Sequence, residues 1–353
     1  MKENGFVLVT GGAGFIGSHT CLALLEKGYG IIVIDSFVNS SPKSLNKVKQ
    51  ILQSKNLFFT NRIFIYRGTL KDKEFIFKIF SESEKNGCRI DSVIHFAGLK
   101  SVEESIENPL NYYEENVLST INLLIVMSKF FCKEIVFSSS ATIYKPYENQ
   151  LINEGCQIES INPYASTKII NEQILSDLHV SDKKNWKIMN LRYFNPIGAH
   201  PSGELGESPK GSVQNLFPLI MQCAIKKNVS LKIFGKDWPT KDGTCIRDYI
   251  HIMDLAEGHI KALEFLKKNK PSIFNLNLGT GIGTSVLDLI KVFEHTNKVN
   301  LSCLFKDRRK GDLPFLVADN KYAKYLLNWS PSRSLEQMCK DGWNWKLKNP
   351  NGY

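Results

Sequence analysis

Apolar and polar positions alternate along the first half of the chain in two distinct rhythms. Short, continuously apolar runs occur at Phe6-Val7-Leu8-Val9, Ile31-Ile32-Val33-Ile34, Ile63-Phe64-Ile65-Tyr66, Ser92-Val93-Ile94-His95-Phe96 and Glu134-Ile135-Val136-Phe137, and again from Lys187 to Leu191. Between them lie stretches with apolar residues three and four apart, at about 15–27, 113–131 and 164–180, the first ending at Gly28. Runs of the first kind are strands buried on both faces, and the second kind are helices. Their alternation predicts βαβ units and a doubly wound parallel sheet of the α/β class.

The rhythm breaks after Asn195. Pro196, Gly198, Pro201, Gly203, Gly206, Pro209 and Gly211 crowd into one stretch, a long loop of the sort that usually serves function. We place a Rossmann domain at residues 1–192 and a smaller mixed α/β substrate domain at 193–353. The segment 246–262, a strand followed by a helix, is a candidate to return to the first domain.

Composition adds little to this but excludes much. The chain of 353 residues is 42% apolar and 23% charged, ordinary for a globular protein and too apolar for extended disorder. The net charge of +10 is spread without a block of like charges, so it reads as a solvated basic surface rather than a nucleic-acid patch. Cysteines at 21, 88, 132, 156, 223, 245, 303 and 339 form no CxxC pair, and the histidines show no ligand spacing, so no metal site is expected. Nothing before Phe6 resembles a signal peptide, and no apolar run spans a bilayer. The expectation is a cytoplasmic protein that engages neither membrane nor nucleic acid.

Candidate chemistry begins at Thr10-Gly11-Gly12-Ala13-Gly14-Phe15-Ile16-Gly17, a glycine-rich turn between a strand and a helix. Glycine permits the turn, lets backbone approach a pyrophosphate, and allows the helix to pack on the strand. The helix N-terminus then faces the phosphates. The second strand ends in Asp35, whose carboxylate suits the adenosine ribose hydroxyls and would repel a 2′-phosphate, favouring NAD over NADP. Further on, Tyr164 and Lys168 stand four apart and so share a helix face, and Pro163 suits the helix start. Of the twelve tyrosines only this one has a lysine four residues on. A nearby ammonium stabilises a phenolate, which suits proton exchange with a substrate hydroxyl. Ser140 follows the fifth apolar run, where strand ends face the ligand crevice. Ser138 and Ser139 beside it read as turn or cap residues.

The spacing Gly11-x-x-Gly14-x-x-Gly17 with Tyr164, Lys168 and Ser140 resembles the extended short-chain dehydrogenase/reductase superfamily. More specifically, the chain is similar to the UDP-glucose 4-epimerase family over nearly its whole length. The similarity runs through Thr10 to Cys21, His95 to Lys100, Phe137 to Tyr144, Pro163 to Lys168, Leu191 to Pro196, Gly198 to Gly203, Asp242-Gly243-Thr244, Arg247 to His251, Gly311-Asp312-Leu313-Pro314 and Trp343-Asn344-Trp345. The resemblance implies bound NAD, a UDP-sugar substrate and inversion at sugar C4 through a 4-keto intermediate, in galactose metabolism. On the cofactor it implies Gly11, Gly14, Phe15, Ile16, Gly17, Asp35, Asn39, Ser40, Thr69, Phe96, Ala97, Lys100, Asn116, Tyr164, Lys168 and Tyr193. On the substrate it implies Ser140, Tyr164, Asn195, Asn215, Phe234, Arg247, Arg309 and Asp312. It also implies a homodimer paired through the helices near 113–131 and 164–180.

The chain departs from the family in places. Thr69 stands after Gly68 where an acid that contacts adenine is usual, and Glu115-Asn116 replaces an Asn-Asn pair, so only Asn116 carries over. Lys145 replaces a glycine, and the segment from Ser41 to Arg62 is long. Leu316 stands where relatives carry tyrosine or cysteine, the smaller residue going with N-acetylated sugars. A 4,6-dehydratase, the nearest rival, would place Asp and Glu after the crevice strand, where this chain has Ala141 and Thr142.

Overall fold

The computed structural model describes residues 4–57, 61–145, 150–211, 213, 215–226, 229–309 and 312–353. The sequence motif residue Gly311 lies outside them, as do residues 58–60 of the long segment after Ser41.

Strands β1 (Phe6–Thr10), β2 (Gly30–Asp35), β3 (Ile63–Arg67), β4 (Ile90–His95), β5 (Glu134–Ser140) and β6 (Lys187–Tyr193) form a parallel sheet. The strands β7 (Asn195–Ile197), β8 (Leu231–Phe234) and β9 (Ile246–His251) follow outside it. β10 (Ile273–Leu278) then returns as its seventh strand, giving the order β10-β6-β5-β4-β1-β2-β3. The continuously apolar runs fit this position: Val7, Leu8, Val9, Ile31, Val33, Val93 and Ile94 are sealed from solvent by layers on both faces.

The large sheet does not end with residue 192. The helix Ile252–Lys268 lies against the first helix, Phe15–Glu26, and delivers β10 alongside β6 in register Leu278↔Tyr193. Without that strand β6 would expose an apolar edge. Sequence order therefore does not divide this chain as space does. The smaller part is built on β9, flanked by β7, β11 (Gly283–Ser285) and β13 (Phe315–Leu316), with β8 pairing β12 (Cys303–Lys306) beside it. Its core gathers Phe217, Ile220, Tyr249, Phe293 and Met338.

The helical pattern at 113–131 is interrupted. A four-residue turn, Pro109–Tyr112, runs into a π-helical segment, Tyr113–Leu118, before α-helix resumes at Ser119–Lys129. Side chains compensate the displaced ladder: the Asn116 carbonyl accepts from Thr120 Oγ1 (2.7 Å) and Asn171 Nδ2 (2.9 Å). Such insertions often sit at functional sites, and this one turns Glu115 and Asn116 to different surroundings. The helix Pro163–Ser181 is started by the Asn162 side chain, which accepts from Ala165 N–H (2.8 Å).

Behind β5 and β6 the guanidinium of Arg192, 1% exposed, is held by Glu172 at 3.0 Å through Nε and 2.6 Å through Nη2. Tyr144 Oη and the Glu154 carbonyl take Nη1. Removing one partner of such a pair strands the other charge. Glu172→Ala is expected to cost about 3–5 kcal/mol, read as a lower urea midpoint with an unchanged slope. A variant as stable as the parent would show that water replaces the carboxylate there.

Candidate active site

Strand order reverses between β1 and β4, since β1 continues to β2 on one side and β4 to β5 on the other. A crevice at the carboxyl ends follows from that topology. Here it is a cavity of about 740 Å³ lined from both parts of the chain. The glycine turn forms one wall. Gly11 has φ +66, and a Cβ there would lie 2.8 Å from Ala97 N; one on Gly17 would lie 2.3 Å from the Gly11 carbonyl. Both glycines serve close backbone packing. Gly14 differs: a Cβ would find protein only at 3.3 Å, on Gly11 O, and the residue lines the cavity. The helix it caps has no side-chain cap and no acid in its first turn. Uncapped N–H groups beside a glycine that protein packing does not demand fit a pyrophosphate.

Asp35 lies at the end of β2, almost buried. Its Oδ2 accepts from Ala13 N–H (2.9 Å), and its Oδ1 accepts from Phe37 N–H (2.8 Å) and Ser40 Oγ (2.7 Å). Ser40 thus orients the carboxylate. Asn39, Thr69, Phe96, Ala97 and Lys100 line the same cavity, as do Phe15, Ile16 and Tyr193. Tyr193 Oη pairs with His259 Nε2 at 2.5 Å.

Asn116 does not line it. Its Oδ1 accepts from Leu99 N–H (2.7 Å) and its Nδ2 donates to Leu99 O (3.0 Å) and Thr167 Oγ1 (3.0 Å). The amide is consumed in tying the loop after β4 to the helix of Tyr164, so it acts as a brace. Glu115, which the sequence reading set aside, faces the cavity instead and pairs with Lys71 at 2.6 Å. His95 is a strand-end tie: Nδ1 meets Thr10 Oγ1 (2.7 Å) and Nε2 meets Thr120 Oγ1 (2.9 Å). Burial pushes its pKa down to about 3, so it stays neutral.

Ser140, Tyr164 and Lys168 converge at the floor. Burial raises the Tyr164 phenol above its ordinary value, against a hydrogen bond from Ser140 that lowers it. Ser140 Oγ accepts from Thr142 N–H (3.2 Å) and Thr142 Oγ1 (3.0 Å). With both lone pairs engaged, its own proton is left for Tyr164 or a substrate oxygen. Thr142 was missed in the sequence, where only its neighbourhood to Ser140 marks it. The Lys168 ammonium donates to the Ser138 carbonyl (2.7 Å) and lies 5.8 Å from the Tyr164 ring centre. Burial pushes its pKa down to about 8, opposed by Glu172.

The opposite wall is cationic. Arg247 Nη1 donates to the carbonyls of Ile246 (2.9 Å) and Leu313 (2.7 Å), and its Nη2 stands 3.9 Å from Asp312. Arg309 grips Asp312 at 3.0 and 3.3 Å and lies 4.9 Å over the Phe234 ring. Asp248 is no partner of Arg247. It is buried and accepts from Thr280 N–H and Oγ1, Gly281 N–H and Ala318 N–H. Asn195 lines the cavity with its Oδ1 buried and lacking a hydrogen-bond partner in the protein, and Asn215 lines it from the start of the helix Leu216–Ile225. An orphaned acceptor beside two guanidinium groups suits a polar, anionic ligand. Leu316 pairs with Arg247 in register but packs toward Phe194 and Ala318. Among the described residues no cluster of His, Cys, Asp and Glu is arranged to hold a metal.

Comparison with known proteins agrees with this geometry. The profile of the GDP-mannose 4,6 dehydratase family matches residues 8–342. The UDP-glucose 4-epimerase of Bacillus subtilis is 49% identical over 98% of both chains. UDP-glucose 4-epimerase 2 of Arabidopsis thaliana is 48% identical over 98% of this chain and 96% of its own. The crystal structure of the Bifidobacterium longum UDP-glucose 4-epimerase, in complex with NAD+ and UDP, superposes with a TM-score of 0.91 at 43% identity, covering 99% of this chain and all of that one.

Tyr164 and Lys168 titrate as a pair, and this has a measurable consequence. The phenolate–ammonium form carries the same number of protons as the phenol–amine form, so the pair loses its first proton with one apparent pKa. Since the buried ammonium already releases its proton near 8, log kcat/KM is expected to rise with pH and level off by about pH 8. In Lys168→Met the phenol must ionise without a cation, and the rise is expected to move up by more than about one unit. Superimposable pH profiles would separate the lysine from the proton transfer. The chain belongs to the family of that dehydratase profile and, within its extended short-chain dehydrogenase/reductases, to the UDP-glucose 4-epimerases.

Proposed function

We propose that the protein interconverts UDP-galactose and UDP-glucose with NAD as resident cofactor, serving galactose metabolism and UDP-sugar supply. The observation that carries this reading is the meeting of Ser140, Tyr164 and Lys168 in one cavity with a pyrophosphate cradle and a cationic wall. The glycine turn and Asp35 would hold NAD at its pyrophosphate and adenosine ribose, with Lys168 and Tyr193 toward the nicotinamide end. NAD supplies a hydride acceptor that gives back what it takes, so the reaction is redox-neutral. Tyr164 takes the proton of the sugar 4-hydroxyl as C4 is oxidised, and returns it when the opposite face is reduced. Ser140 donates a hydrogen bond to the reacting oxygen, and Lys168 stabilises the phenolate. Arg247 and Arg309 neutralise the UDP diphosphate, Asp312 takes the uridine ribose, Phe234 stacks on uracil, and Asn195 and Asn215 bind the diphosphate or sugar. The segment after β5, Ser140-Ala141-Thr142, carries no acid pair, which argues for epimerisation over the dehydration named by the family profile.

The purified protein should convert UDP-galactose to UDP-glucose without net NADH. Tyr164→Phe should retain NAD yet lose about 10²–10⁴-fold in rate. Parent-like turnover by that variant would remove Tyr164 from the base role. Running UDP-N-acetylgalactosamine beside UDP-galactose tests what Leu316 admits.

We place the protein in the cytoplasm, where its eight unpaired thiols would stay reduced. Among the described residues no helix is long and apolar enough to cross a membrane. We also propose a homodimer. Leu118, Ile121 and Ile125 are exposed on one helix and Ile170 on the helix of Tyr164, an apolar face that a second copy would cover. Ile125→Lys should shift sedimentation from dimer to monomer. A parent that sediments as a monomer would refute the pairing.

A further inference from the structure

The cavity is suited to two diphosphates, yet one wall bears a carboxylate that water barely reaches. Glu207 lines the cavity with its side chain 7% exposed. It stands in the glycine- and proline-rich loop after β7. Its Oε1 receives Lys100 Nζ at 3.3 Å and Asn215 Nδ2 at 3.4 Å. Lys100 comes from the loop after β4, on the cofactor side. Asn215 precedes the helix Leu216–Ile225, on the substrate side. A buried carboxylate facing anions is unfavourable unless it is paired, and these two residues are its partners.

The loop is also braced from behind. The Glu207 carbonyl accepts from Trp345 Nε1 (3.2 Å). Gly206 N–H donates to Tyr353 Oη (3.1 Å), and the Tyr353 hydroxyl donates to Gly206 O (3.0 Å). Tyr353 N–H donates to Ser208 Oγ (3.2 Å), and the Trp345 and Tyr353 rings meet at 4.8 Å. A Cβ on Gly206 would sit 2.4 Å from the Trp345 ring. The C-terminal segment therefore fixes where the carboxylate stands, and it stands between two groups that belong to different ligands.

We infer that Glu207 is a positioning residue that holds the ammonium of Lys100 and the amide of Asn215 together, so that cofactor retention and UDP-sugar affinity are coupled through one carboxylate. This rests on the NAD and UDP-sugar reading of the cavity. Lys100 is otherwise a half-exposed lysine with many rotamers, and pairing restricts it to the cavity mouth. Asn215 turns its amino group toward the carboxylate, which leaves its carbonyl oxygen to select among donors on the substrate.

The test compares the holoenzyme of the parent with Glu207→Gln, Lys100→Met and the double variant. Bound NAD is measured after gel filtration, and KM and kcat are measured for UDP-galactose. Gln keeps an acceptor for Asn215 but loses the charge that holds Lys100. We expect KM to rise about five-fold and NAD to leave faster, with kcat within about two-fold, and Glu207→Gln to add little once Lys100 is Met. Tyr353→Phe keeps the ring packing and loses the hydroxyl bonds to Gly206, so it should raise KM in the same direction even if Glu207 variants fold poorly. Effects that multiply in the double variant, or parent-like KM and NAD retention in Glu207→Gln, would overturn the coupling. A parent inactive on UDP-galactose would instead sink the substrate reading, while NAD retention across the same variants still decides the role of Glu207.

Discussion

β1 and β4 run side by side and in the same direction, but the chain leaves them toward opposite halves of the sheet. The gap this opens at Thr10 and His95, paired in register, is the constraint on which the rest depends. Six segments reach the same edge because every strand of the large sheet is parallel: the glycine turn, Asp35, Thr69, the 96–100 loop, Ser140 and Tyr193. The edge must also be rigid, and a neutral, buried His95 supplies that by joining β1 to the helix behind β4 through two threonine hydroxyls. A charged imidazole could not sit there. Burial keeps the proton off and leaves one donor and one acceptor for the two hydroxyls.

Much of this was legible because it is local. The glycine turn needs only a strand before it and a helix after it. Tyr164 and Lys168 meet because four residues make about one helical turn. Asp35 is the last residue of an apolar run, and it lines the cavity for that reason. These features require no knowledge of what packs against them.

The unread features depend on pairs far apart in the chain. Asn116 and Glu115 exchange expectations because a π-helical segment changes which side chain faces inward, and the signal for it is the distant Asn171 and Thr167 that satisfy Asn116. β10 joins the large sheet from eighty residues beyond β6, guided by a helix packed on the first helix. Glu207 is a single acid in a loop until Lys100, Asn215, Trp345 and Tyr353 are brought around it. Arg247 next to Asp248 looks like an ion pair in sequence, but alternation along β9 sends the two side chains to opposite sides.

That alternation bears on how a redox-neutral epimerisation can work at all. A sugar oxidised on one face and reduced on the other has to turn over between the two events while its nucleotide stays put. Strong interactions are then useful only away from the reacting carbon. The guanidinium groups of Arg247 and Arg309, with Asp312 and the Phe234 ring, form one connected cluster. The groups around Tyr164 that would touch the sugar are hydroxyls: Ser140 and, behind it, Thr142. Lys168, the charge nearest the reacting oxygen, spends its proton on the Ser138 carbonyl and reaches the chemistry only through the tyrosine field. A cation placed directly on the sugar would hold one orientation and oppose the rotation. Charge at the nucleotide end and neutral donors at the sugar end satisfy both demands.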